Sequence, residues 1–179
     1  MAEILQATAS VVAKDGLAGT TVANVATAAG LQRTLVLHYF GSRDGLMSSF
    51  ITEAVAAYGD QMLGGQDESV EESLGRLFGP TAYRTQADLV IWVELVARAA
   101  RDESVRQRLT ELWTQRWLPA VERRLQQDYP QASAEQVEQV AYALSALVEG
   151  HWYFHLQGVQ GRRHHALQAA RALLATLET

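Results

Sequence analysis

The sequence predicts an all-α protein, with a helix-turn-helix at its N-terminus and a helical body behind it. Three observations carry this prediction. Ala, Leu, Gln, Glu and Arg are abundant in the 179 residues, and proline occurs only at positions 80, 119 and 130, a composition that favours helix. Apolar residues recur at spacings of three and four, and no alternating run of strand length interrupts them. Boxes of the form Ser-x-x-Glu/Gln stand at Ser69 with Glu72, Ser104 with Gln107, and Ser133 with Gln136, each satisfying orphan amides at a helix start.

Taken in order, Ile4, Leu5, Thr8, Ala9 and Val12 mark a first helix that stops at Gly16. Thr20 and Thr21 offer N-caps for a short helix whose apolar face is Val22, Val25, Ala26 and Ala29, ended by a tight turn at Gly30. A second short helix covers 33–40, with Val36 and Phe40 facing the core, and Gly41 and Ser42 separate it from a longer helix over 43–63. Leu46, Met47, Phe50, Ile51, Ala54 and Tyr58 give that helix a buried side. The polar stretch GGQDES at 64–69 reads as a seam. Beyond it the periodicity predicts helices over 69–78, 86–101, 104–128, 133–157 and 162–178, the third kinked or broken by Pro119.

Composition narrows the function classes. Without cysteine there are no disulfide staples and no thiolate metal site. The formal net charge of −5 argues against a protein that coats nucleic acid indiscriminately, and the segment to position 46 is nearly neutral. The first residues lack the pattern of a secretory leader, and the most apolar stretch, 89–100, carries Glu94 and Arg98 and is too short to span a bilayer. A cytoplasmic protein is expected, with no membrane partner. There is no Gly-rich phosphate loop, no strand-Ser-helix elbow and no convincing acid pair, so neither an enzyme nor a cofactor is expected.

Two short helices joined by a glycine turn and braced on both sides have helix-turn-helix geometry. The major groove of DNA admits one helix, and the second of such a pair presents its first turn to base edges. That turn carries Arg33, suited to a bidentate contact with guanine, and Thr34, suited to a thymine methyl or a phosphate; Leu37 and His38 follow one turn on. On spacing alone, two packed helices with a polar rim remain an equal alternative.

The stretch from Ile4 to Phe50 resembles the DNA-binding domain of the TetR (tetracycline-repressor-like) family. The residues that carry the resemblance are Gly16 with Thr21 and Val22, VANVATAAGL at 22–31, HYF at 38–40 and SRDGL at 42–46. The resemblance implies a DNA-binding domain over 1–48 and a ligand-binding, dimerising body over 49–179. It also implies a homodimeric repressor on a palindromic double-stranded operator, released by a small molecule. Thr21, Arg33, Thr34, Leu37, His38, Tyr39 and Arg43 are the residues expected at the DNA. Two positions depart from the family pattern: Gln32 stands where serine is common, and Leu37 replaces a tyrosine whose hydroxyl meets a phosphate. Arg43 keeps a basic group at a helix N-terminus, where amide donors also favour a phosphate. Leu37 and the weakly basic module support an alternative, a dimeric ligand- or partner-binding module that has lost DNA binding.

In the body, 91–109 and 146–154 resemble the effector domain of the branch that holds the choline-responsive repressors. Tyr142, Ser145, Glu149 and Trp152 share a helix face, and with Trp92 they offer walls for a cationic or amphiphilic effector, with Glu149 or Glu94 as negative pole. The competing assignments are an interface or a half-exposed groove for the first four and a helix ion pair with Arg98 for Glu94. Trp113 and Trp117 are expected to pack together, and neither His151 with His155 nor His164 with His165 makes a convincing metal site. The last helix, with Ala166, Leu167, Ala170, Leu173, Leu174 and Leu177, is expected to pair with helix 133–157 in a four-helix dimer interface.

Overall fold

Local capping rules set most of the helix ends. The computed structural model describes residues 1–65, 67–80, 82–83 and 85–178, and every regular element among them is helical. The elements are α1 (Ala2–Gly19), α2 (Val22–Ala29), α3 (Arg33–Phe40), α4 (Arg43–Leu63), α5 (Val70–Leu77), α6 (Gln86–Ala99) and α7 (Glu103–Glu111). A π-helical segment, Leu112–Trp117, leads into α8 (Leu118–Asp128), followed by α9 (Ala134–Leu156) and α10 (Arg163–Ala175). Reciprocal capping boxes open α5 at Ser69 and α9 at Ser133, and a further one opens α6 at Thr85 with Asp88. Ser104, expected to open a third box, is not the cap of α7, which begins at Glu103. Asp102 takes that place, its carboxylate accepting from the Ser104 and Val105 amides at 3.1 and 3.3 Å. Aspartate reaches the free amides as well as serine does, and Ser104 falls inside the helix.

Residues 1–58 and 85–109 form one compact unit, and 59–84 with 110–179 form another. In the first, Ile4, Val12, Val25, Val36, Leu46, Trp92, Leu95 and Val105 are almost wholly buried. Trp92 stacks on Tyr58 with ring centroids 3.5 Å apart. The second unit packs α5, α8, α9 and α10 around Leu74, Phe78, Leu125, Ala141, Leu144 and Ala170.

Within this second unit Arg76 donates to the last carbonyls of α4, Gln61 and Met62, at 3.1 and 3.0 Å. It also grips Glu68 through two bonds of 2.8 and 2.7 Å. That grip, above all, holds the Glu68 carboxyl below its ordinary range. The stability it lends is therefore present above the unfolded carboxyl's pKa and is lost as pH falls through the lower folded value.

Pro119 does not break the chain. It sits in the first turn of α8, where a missing amide costs little, and the ladder before it widens to the π-segment. The last helix departs further from expectation. Ala170, Leu174 and Leu177 are buried inside the protomer at 0, 5 and 3% exposure, so this face is core and not a surface left for a partner.

At Gly16 the backbone of α1 turns to φ 72°, ψ 168°, a conformation open essentially to glycine alone. Gly16→Ala should cost about 1–3 kcal/mol in chemical denaturation. Gly75→Ala, in α5 with nothing near its missing Cβ, should instead stabilise by about 0.5–1 kcal/mol. Equal effects of the two substitutions would contradict this assignment of strain.

Candidate DNA interface and effector cavity

The bend at Gly16 leaves amides and carbonyls at the end of α1 without helical partners, and two distant side chains meet them. Glu94 of α6 accepts from the Leu17 amide at 3.1 Å. Arg43, at the start of α4, donates to the carbonyls of Thr20, Leu17 and Ala18 at 2.7, 2.8 and 3.4 Å. Thr21 then caps α2, its hydroxyl accepting from the Asn24 amide at 3.1 Å. Gly30 closes α2 in the left-handed region, donating to Ala26 and Thr27 carbonyls. Gly45 completes the frame: any Cβ there would collide with the Phe40 carbonyl, so only glycine lets α4 start this close to the end of α3.

The frame presents one side of α3 to solvent. Arg33 is its first residue, and Gln32, at the N-cap, makes no side-chain cap bond. Arg33, Thr34, Leu35, His38 and Tyr39 are exposed, while Val36 is wholly buried. Thr34, Leu35 and His38 line a surface hollow with Gly30, Leu31 and Gln32. The Tyr39 ring meets that of His38 edge-on at 5.7 Å. Leu37 is half-buried, and the leucine that stands outward is Leu35, which the spacing had not singled out. Arg43 is also differently employed: its guanidinium is committed to three carbonyls and so acts first as a brace. Sequence spacing cannot reveal such a role, because the acceptors lie 23 to 26 residues away.

The six residues expected at the effector fall in both units. Trp92 and Glu94 belong to the first unit, one stacked on Tyr58 and the other bonded to Leu17. Arg98 pairs with Asp102 at 2.8 Å, so the Glu94–Arg98 ion pair is not formed either. In the second unit Tyr142 points outward at 71% exposure and Glu149 is half-buried. Ser145 and Trp152 are buried. The Ser145 hydroxyl accepts from Trp117 Nε1 at 2.8 Å, and Trp152 Nε1 donates to the Leu77 carbonyl at 2.9 Å. The stripe thus straddles the edge between the core and outer faces of α9. Trp113 and Trp117 meet edge to face at 5.8 Å. His151 and His155 flank Trp152 edge-on at 5.3 and 5.4 Å.

What the second unit does hold is a cavity of about 30 Å³ lined by Leu74, Leu77, Trp117, Val121, Leu144 and Val148, with Ser73, Ser145 and Arg124 as its polar members. Burial, partly offset by the Glu68 carboxylate, pushes the Arg124 guanidinium below its ordinary value. Arg124 donates to Ser73 Oγ at 3.2 Å and to the Gly65 carbonyl.

A short helix pair joined by a glycine turn, with the start of its second helix exposed, has the geometry of a helix-turn-helix. Comparison with known proteins agrees. Residues 4–50 match the model for bacterial regulatory proteins of the tetR family, and residues 68–178 match that for the C-terminal part of BetI-type transcriptional repressors. The chain is 27% identical over 158 residues to the HTH-type transcriptional regulator BetI 1 of Chromohalobacter salexigens, covering 84% of this chain and 75% of that one. Among solved structures, a putative transcriptional regulator from Pseudomonas aeruginosa PAO1 superposes with a TM-score of 0.80 at 19% identity, covering 99% of this chain and 89% of that one. A putative regulator from Saccharomonospora viridis, solved in complex with choline, does so at 0.77 and 17% identity, covering 97% and 94%. The protein belongs to the TetR family and is a ligand-responsive, DNA-binding transcriptional regulator.

Two substitutions separate reading from bracing. Arg33→Ala should cost about 1–3 kcal/mol of operator affinity in fluorescence anisotropy, relax specificity at one base position and leave the melting temperature unchanged. Arg43→Ala should lower both the melting temperature and affinity for every DNA sequence. A normal melting temperature with a flattened salt slope would return Arg43 to a purely phosphate-contacting role.

Proposed function

We propose that the protein is a dimeric repressor that holds a palindromic operator in the cytoplasm through two copies of α3 and is released when a small molecule enters the cavity of its second unit. The exposed first two turns of α3 carry this proposal, because they offer a guanidinium, a hydroxyl and an imidazole to solvent. Arg33 and Thr34 read base edges, Leu35, His38 and Tyr39 extend the contact, and Thr21 reaches the backbone beside them. Leu37, half-buried, supports the helix from within. Arg43 fixes its frame.

Dimerisation is supported by the outer sides of α9 and α10. Tyr142, Ala146 and Gly150 recur along α9 at offsets of four, and Ala169 and Ala172 stand exposed on α10. Small side chains let helices approach closely, so the four helices of two protomers can pack face to face. A ligand shifts such a repressor only by its differential affinity for the two arrangements. The cavity, about 30 Å³, must open roughly tenfold to admit a molecule of drug size. Binding and a change of shape are therefore coupled.

Ala172→Glu should give a folded monomer by sedimentation velocity, with specific operator binding lost. Leu174→Asp, by contrast, should unfold the protomer itself, because it puts a charge into a buried site. A stable monomer in the unmutated protein, or a dimer insensitive to Ala172→Glu, would refute the interface.

A further inference from the structure

Arg124 is the one charged side chain lining the cavity among the described residues, and the acids near it are engaged elsewhere. Glu68 is the nearest acid to Arg124, but its Oε2 lies 3.8 Å away and the carboxylate is already held by Arg76 at 2.8 and 2.7 Å. It also accepts from Ser73 Oγ at 3.0 Å. Asp128, the other acid acting on Arg124, accepts from the Val70 amide at 2.8 Å and so helps start α5. The hydrogen bonds of Arg124 itself go to neutral oxygens of Ser73 and Gly65, and its side chain is 13% exposed. The other cavity walls are Trp117, the hydroxyls of Ser73 and Ser145 and apolar chains, and no carboxylate lines the cavity among the described residues.

Resting on the effector cavity proposed above, we infer that the effector is an anionic amphiphile, an apolar tail bearing a carboxylate whose head pairs with Arg124. A guanidinium removed from water and only partly compensated gains most from a carboxylate, which its planar fork can bind through two parallel bonds. The tail replaces water against Leu74, Leu77, Leu144 and Val148, where apolar area is recovered. A quaternary ammonium head in the same place would face a like charge in a poorly solvated site and would find no acid free to meet it. Sequence pattern had suggested the opposite sign, because it placed Glu94 and Glu149 at this site.

The test uses the intact protein and three probes of one tail length, decanoate, decanol and decyltrimethylammonium, below their micellar concentrations, with binding followed by calorimetry and thermal shift. Decanoate should bind about tenfold or more tightly than decanol. Arg124→Gln should remove that advantage while leaving decanol affinity unchanged, and Arg124→Lys, which keeps the charge, should retain most of it. Leu144→Trp, which fills the cavity, should block all binding. Preference for the ammonium probe, or decanoate binding indifferent to Arg124→Gln, overturns the anionic effector while the cavity stands. If Leu144→Trp leaves binding intact, or no probe binds, the cavity itself is not the effector site and the inference falls with it.

Discussion

The end of α1 is the point on which the DNA-binding unit depends. A backbone that turns at Gly16 exposes an amide at Leu17 and carbonyls at Leu17, Ala18 and Thr20 close to the core, and such groups are costly when unpaired. Glu94 takes the amide and Arg43 takes the carbonyls. One side chain comes from α6 and the other from the start of α4, so three helices are tied at a single bend. The turn into α2, and through Gly30 into α3, starts from this knot. The reading helix itself contributes only Val36 to the wholly buried core, so its orientation is set by its surroundings.

Much of this unit was legible in the sequence because its determinants are local. Thr21 three residues before Asn24, Gly30 after an apolar pair, and Gly41 after Phe40 are capping signals that act within one turn. The same holds for the boxes at Ser69 and Ser133. What could not be read were contacts between residues far apart. Glu94 looked like the partner of Arg98, four residues away, whereas its acceptor role is played 77 residues away at Leu17. The carbonyls that Arg43 meets, 23 to 26 residues back, could not be read from spacing either. Leu174 and Leu177 illustrate a different difficulty: an apolar stripe declares that it will be buried but not by what, and here the protomer's own helices cover it.

The second unit shows how a body of ordinary helices acquires an interior cavity. Pro119 cannot continue the hydrogen-bond ladder, and the widened segment before it ends at Trp117, a wall of the cavity bonded to Ser145 on α9. Wide turns of this kind are frequent at functional sites. Arg76 and Arg124 share Glu68 at one side of that cavity, and only Arg124 of the three lines it. The anionic effector proposed above rests on Arg124, whose own hydrogen bonds go to neutral oxygens of Ser73 and Gly65.

The most direct trial of the account is Glu94→Ala, followed by amide hydrogen exchange at Leu17 and by operator affinity in the same sample. Glu94 lies on α6 and accepts from the Leu17 amide. If the bend at Gly16 sets the reading helix, the Leu17 amide will exchange freely and operator affinity will fall by about tenfold or more, the effect of losing a charged hydrogen bond. Full operator affinity alongside a freely exchanging Leu17 amide would contradict it.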